Sequence, residues 1–176
     1  TTTDYEEGQS KLDEYRKYDG VTDSLLVLNQ VQYVVETSVD DLDKKFMKDT
    51  NHKSDNNKLT GKIVATSDRD YKELLKKYNK EDETIFVINH YSLISYANND
   101  RKKYQGKVFN KNELNLKLCD YSIENCEYNL DNVAIIDEVP FGIDYFHNNA
   151  DFEIIVSNDM MKKIDKTFSD VSIYEE

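Results

Sequence analysis

The chain has 176 residues, the length of one ordinary domain. Val, Ile, Leu, Phe and Met make up 48 of them, enough for a core, while five glycines and one proline exclude collagen-like and low-complexity classes. Acids outnumber bases 35 to 23, for a formal net charge of -12, which excludes a broadly basic nucleic-acid clamp but not a local binding surface.

In chain order, Thr1 to Asp19 is polar and supports nothing firmer than a helix. Asp23 can cap a short helix through Leu28. Val31 to Glu36 is β-branched and aromatic, the composition of a strand. Asp40, Asp41 and Asp43 then open a helix through Lys48, with acids in the first turn and lysines later, as the helix dipole favours. Asp49 to Lys58 is a polar loop. Lys62 to Thr66 reads as a strand. Ser67 or Asp68 caps a helix through Tyr78, with Leu74, Leu75 and Tyr78 on one face. Thr84 to Ile88 is a buried-type strand, followed by Asn89, His90 and a short helix carrying Leu93 and Ile94. Arg101 to Asn132 is a polar insertion, a hairpin or a loose helix. Val133 to Ile136 is the most apolar strand and runs into Asp137 and Glu138. Pro140 stops it, and Phe141 to Phe146 reads as a helical turn. Phe152 to Val156 is the last strand, and Asp159 caps a final helix with Met160, Met161 and Ile164. Strands alternating with helices predict a single α/β domain, or a fragment of one, over residues 1–176, with a mostly parallel sheet flanked by helices.

The chemistry concentrates at Val133-Ala-Ile-Ile-Asp-Glu138. A strand buried on both faces that ends in two carboxylates places them where α/β sheets bind ligands. The alternative is a strand running into an acidic surface turn. Arg101, Lys102, Lys103, Tyr104 and Lys107 form a local basic cluster. Its tyrosine could stack a base while the lysines meet phosphate; the alternative is a solvated loop. His90 follows a buried strand, and its alternative is a histidine satisfied by a backbone carbonyl. Cys119 and Cys126 read as free thiols in a reducing compartment, with a short disulfide or a metal as the other readings. No apolar run reaches the roughly 18 residues of a membrane span. No signal-peptide pattern is visible either, so the expected setting is cytoplasmic.

The order of these segments resembles the first RecA-like domain of superfamily 2 (DEAD/DEAH-type) helicases, over roughly residues 25 to 165. In that family a strand ends in Pro-Thr; here Val31 to Val35 ends in Glu36-Thr37. A later strand ends in Thr-His or Thr-Pro; here Ile85 to Ile88 ends in Asn89-His90, with Leu93 after it. The Walker B strand is matched by Ala134-Ile-Ile-Asp-Glu138, which continues Val-Pro140 in place of Ala-Asp or Ala-His. The final small-polar triplet is poorly matched at Ser157-Asn158. The resemblance implies that Asp137 holds Mg²⁺ on ATP, that Glu138 activates the attacking water, and that Thr37, Asn89 and His90 line a DNA or RNA path, joined by Lys102 and Lys103. The Walker A loop is missing. Gly61-Lys62 and Gly106-Lys107 are followed by neither Ser nor Thr, and Asn56 and Arg101 stand where its first glycine belongs. The resemblance therefore implies a truncation upstream of Thr1. The intact protein would be an ATP-hydrolysing helicase and this chain alone inactive.

A second reading is of a different class: a small acidic α/β binding protein without catalysis. Its charge would mimic nucleic acid and occupy a basic groove on a protein partner. Parallel strands with Asp137 and Glu138 in a crevice favour the first reading. A mixed sheet with both acids in solvent favours the second.

Overall fold

A computed structural model of the chain describes residues 5–18, 25–97, 100–119, 125–139 and 150–172. The elements are α1 (Tyr5–Tyr15), β1 (Val27–Glu36), a 3-10 turn (Val39–Asp41), α2 (Lys44–Thr50), β2 (Lys58–Thr66), α3 (Asp68–Lys77), β3 (Ile85–Ile88), β4 (Tyr91–Ala97), β5 (Asp100–Gly106), β6 (Leu116–Leu118), β7 (Tyr128–Leu130), β8 (Val133–Ile136), β9 (Phe152–Ser157) and α4 (Asn158–Ser172). Seven strands form one sheet in the order β7-β6-β1-β2-β9-β3-β8, and β4 pairs with β5 in a separate hairpin.

This sheet overturns the predicted mostly parallel, helix-flanked RecA-like architecture. Among the described residues only β2–β9 and β3–β8 are parallel. β1 runs antiparallel to both β2 and β6, β6 to β7, and β3 to β9. The sequence pattern misleads for a physical reason. Alternating strands and helices show that each strand buries its faces, but they do not fix strand direction. The last strand, β9, also inserts between β2 and β3. That insertion puts β8, read as the Walker B strand, at the sheet edge.

The centre of the sheet is covered on both faces, and the period-2 alternation of the strands divides the core accordingly. Ile63, Ala65, Ile85, Val87, Ile154 and Val156 face one side, where they meet Phe46 of α2 and Met161, Ile164 and Phe168 of α4. Val64, Phe86, Ile88 and Ile155 face the other side, against Tyr71, Leu74 and Leu75 of α3. Burying a side chain of this size stabilises the fold by about 1.5–3 kcal/mol.

The caps explain where the helices start. The Asp43 carboxylate accepts from the Lys45 and Phe46 amides at the head of α2, and Asn51 ends that helix in the left-handed region at φ 55°. Ser67 accepts from the Asp70 amide at the head of α3, with Asp68 and Asp70 in its first turn and Lys76 and Lys77 in its last. At the head of α4 the Ser157 hydroxyl accepts from the Met160 amide at 3.1 Å, so Ser157, not Asp159, caps this helix.

Two more expectations are corrected. Leu93 and Ile94 lie on a strand, not a short helix. In the segment from Arg101 to Asn132, read as a hairpin or a loose helix, the described residues form strands: β5 returns along β4, and β6 and β7 pair as a hairpin that extends the main sheet beyond β1. Of the predicted helix from Asp23 to Leu28, Val27 and Leu28 instead begin β1; Asp23 lies outside the described residues. Pro140 and the turn at 141–146 also lie outside them.

Cys119 and Cys126 are joined in a disulfide, so the free-thiol reading is corrected too. Leu118 pairs with Tyr128 across the β6–β7 hairpin, which brings the two cysteines to the base of its loop. The redox reason for a cytosolic setting falls with that reading.

Candidate functional site

Asp137 and Glu138 follow β8 at the edge of the sheet, and the structure separates them. Asp137 Oδ2 lies 3.2 Å from Lys107 Nζ, and the Asp137 side chain is 61% exposed. Glu138 Oε2 lies 2.9 Å from Lys77 Nζ at the end of α3, and this side chain is 69% exposed. The Tyr78 hydroxyl also approaches Glu138 at 3.4 Å. Each carboxylate meets a lysine from a different part of the chain, Lys107 just after β5 and Lys77 at the end of α3. Exposed pairs of this kind contribute between zero and about 1 kcal/mol. Lysine ammonium groups stand where a cation would have to sit, which lends no support to the expected Mg²⁺ and ATP. Among the described residues no group of three His, Cys, Asp or Glu is arranged to hold a metal ion.

The other predicted residues are dispersed. Thr37 is buried just after β1, and its amide donates to the Asn57 carbonyl at 2.9 Å. Its hydroxyl has no hydrogen-bond partner among the described residues and no access to solvent.

Asn89 is buried at the end of β3 and joins three segments. Its Oδ1 accepts from the Val108 amide at 3.0 Å and the Phe109 amide at 2.8 Å. Its Nδ2 donates to the Phe109 carbonyl at 3.1 Å, and its own amide donates to the Ile136 carbonyl at 2.8 Å. With its amide group used in this way, Asn89 is a connector rather than a surface contact.

Lys102 and Lys103 stand exposed on β5, opposite Ser95 and Ile94. Tyr104, the ring expected to stack a base, pairs across the hairpin with Leu93, and both pack against the core. The basic cluster is therefore a strand of lysines without a free aromatic platform.

His90 contributes to a feature that the motifs did not indicate. A cleft of about 20 Å³ opens where the end of β3 meets the start of β9 and α2. Phe46, His90, Tyr91, Asp151, Phe152 and Glu153 line it. Such a volume holds about one water molecule, not a nucleotide. Burial, reinforced by the positive charge of Lys103, lowers the His90 pKa and favours the neutral imidazole. Burial raises the Asp151 pKa, against the opposing effect of the Thr60 amide, which donates to its carboxylate at 2.7 Å.

Behind the cleft, Glu153 on β9 sits beside Lys62 on β2, with Oε1 3.0 Å from Nζ and each side chain 6% exposed. On the α2 side, the Tyr91 hydroxyl donates to Asp49 at 2.6 Å, and Lys45 bridges to both. The hydrogen bond from Lys45, followed by that from Tyr91, lowers the Asp49 pKa. A sequence signal for the buried pair was present. Lys62 opens the apolar run Lys62-Ile-Val-Ala of β2, and Glu153 interrupts the apolar run Phe152-Glu-Ile-Ile-Val of β9.

Among the described residues the buried acids are Asp41, Asp70 and Glu153. Each has a cationic partner: Lys111 for Asp41, Arg16 for Asp70 and Lys62 for Glu153. The remaining acids among the described residues reach solvent.

No protein-family model, curated protein or solved structure matches this chain.

Proposed function

We propose that this protein is an acidic interaction module that works by binding, not catalysis, with a cationic protein surface as its partner. One observation carries the reading. In a mixed sheet, Asp137 and Glu138 stand apart in solvent on separate lysines, and the chain as a whole carries a formal net charge of -12. The helicase resemblance drew its ATP site and nucleic-acid path from a parallel sheet, and this fold has a different one. A surface of this sign attracts basic partners from a distance and repels polynucleotides, because both effects follow the summed charge.

The membrane is not a favoured partner. No helix among the described residues is long and apolar enough to cross one, and an anionic leaflet repels an acidic chain.

A displacement assay tests the proposal. A labelled DNA duplex is bound to a DNA-binding protein with a basic groove, and this chain is titrated in. Release of the duplex at moderate salt, lost at about 0.5 M salt, is the expected outcome. No release at any concentration counts against it, and so does binding of this chain to the duplex itself.

A further inference from the structure

We propose that α1 is an autoinhibitory strap: its Arg16 occupies in cis the carboxylates of Asp70 and Glu73, which an arginine of a cationic partner takes when α1 is displaced. This use of Arg16 rests on the acidic-module reading and names the place where the partner docks.

Arg16 follows the last turn of α1, where its amide donates to the Leu12 carbonyl at 3.0 Å. Its Nη2 lies 2.9 Å from Asp70 Oδ1 and 3.3 Å from Glu73 Oε2, both on α3. The Asp70 side chain has no solvent exposure, whereas Arg16 is 25% exposed and Glu73 60%. Arg16 therefore stands between a buried carboxylate and solvent. Residues outside α1 also hold Asp70 in place. Its Oδ2 accepts from the Leu26 amide at 2.7 Å, and its own amide donates to the Ser67 hydroxyl at 3.3 Å. Arg69 Nε lies 3.4 Å from Asp70, but both ends of that guanidinium are held at 3.0 Å by Asp13 of α1.

Charge decides whether α1 stays docked. Among its described side chains Leu12 is the buried apolar one, and Tyr15 is half-exposed. Gln9 Nε2 is buried with no hydrogen-bond partner among the described residues. Burying one leucine and stranding one amide donor are effects of similar size and opposite sign. A helix of 11 residues with Gly8 in its interior is not stable alone in water. The pairs made by Arg16 and Arg69 supply the balance.

Asp70 ties release of α1 to arrival of the partner. A buried carboxylate that loses its cation is strongly disfavoured, so α1 leaves readily only when another cation takes the place of Arg16. A guanidinium suits that place. It is more weakly hydrated than an ammonium, so it enters a site closed to water at lower cost.

Amide hydrogen exchange and fluorescence anisotropy on the full, disulfide-intact chain test this at about 0.05 M salt. Without peptide the Arg16 amide should be protected. An oligoarginine peptide should speed its exchange by roughly fivefold or more and leave the β2 amides unchanged. An oligolysine peptide of equal length should do less. Arg16→Gln, freed of the cis competitor, should bind the labelled arginine peptide roughly fivefold more tightly than Lys17→Gln. Lys17 is an exposed neighbour, and its loss changes the net charge by the same amount. The exchange measurement uses the wild type, so it decides even where Arg16→Gln loses structure.

Binding of the arginine peptide with the Arg16 amide still protected overturns the strap and leaves the acidic-module reading standing. Equal affinity of the two variants does the same. Equal opening by the two peptides overturns the assignment of arginine, and an Arg16 amide unprotected from the start overturns the docked helix. Failure of the peptide to bind the wild type or either variant overturns both the strap and the acidic-module reading.

Discussion

Lys62 Nζ lies 3.0 Å from Glu153 Oε1 between adjacent strands of the sheet, and both side chains are buried. A charge in this setting is tolerated only with its partner, because removing one member leaves the other without its counter-charge in a low-dielectric interior. Lys62→Met alone, or Glu153→Gln alone, is expected to destabilise the fold by about 3–5 kcal/mol. The double variant Lys62→Met/Glu153→Leu should recover most of that loss, since an apolar pair can replace a buried ion pair at little cost. Urea unfolding of the three variants measures this. Equal losses in the singles and the double would show that the pair does not act as a unit.

Asn89 gives a second test, because its two readings predict opposite results. As a connector it satisfies the Val108 and Phe109 amides, and Asn89→Ala would strand both inside the protein. The expected loss is about 2–4 kcal/mol. A surface residue reaching toward nucleic acid could be truncated with a change within about 0.5 kcal/mol. Thermal or urea unfolding of Asn89→Ala separates the two.

Much of the local structure was legible in the sequence, and the reasons are specific. The strands at Lys62, Thr84, Val133 and Phe152 were visible as apolar, β-branched runs, and each lies in the sheet. Ser67 and the acids around Asp43 marked two helix starts correctly. What failed was direction and order. Val133 to Ile136 is apolar enough for a central strand, yet it lies at an edge, with intermediate burial of Val133 and Ile135. Apolar content reports burial and cannot report which neighbour supplies it. The hairpin from Tyr91 to Gly106 was missed because Leu93 and Ile94 are adjacent, which hides the period of two. The parallel pairing of β3 with β8 keeps Asn89 beside the end of β8, whereas Thr37 follows β1, three strands away from β3 in the sheet.

The disulfide predicts a thiol count. Without reductant, the unfolded chain should give no free thiol by colorimetric titration, because its two cysteines, Cys119 and Cys126, are bonded to each other. Their sequence separation of seven closes a short loop, for which chain entropy gives roughly 2–3 kcal/mol. Cys119→Ser/Cys126→Ser should lower stability by about that amount. Two titratable thiols in the unreduced protein would contradict the pairing.

His90 predicts a pH dependence of definite sign. Burial lowers its folded-state pKa below the ordinary value of 6.5. The unfolded chain therefore binds more protons than the folded one as pH falls below that value. This contribution to stability is complete above about pH 6.5 and is lost as the solution is acidified toward the lower folded value. Asp151 acts oppositely. Its raised pKa means that the folded state holds its proton more tightly, so its contribution improves with acidification through that raised value. Urea midpoints between about pH 5 and pH 7.5 should fall less steeply on acidification in His90→Gln than in the wild type. Identical slopes would show that His90 is not held neutral.

The central claim concerns charge, and fluorescence anisotropy tests it most directly. The protein is titrated into a labelled Lys/Arg peptide and, separately, into a labelled single-stranded oligonucleotide, at several salt concentrations. An acidic interaction module should bind the peptide, lose roughly tenfold or more in affinity between about 0.05 and about 0.5 M salt, and leave the oligonucleotide free throughout. Binding of the oligonucleotide in preference to the cationic peptide would contradict the account.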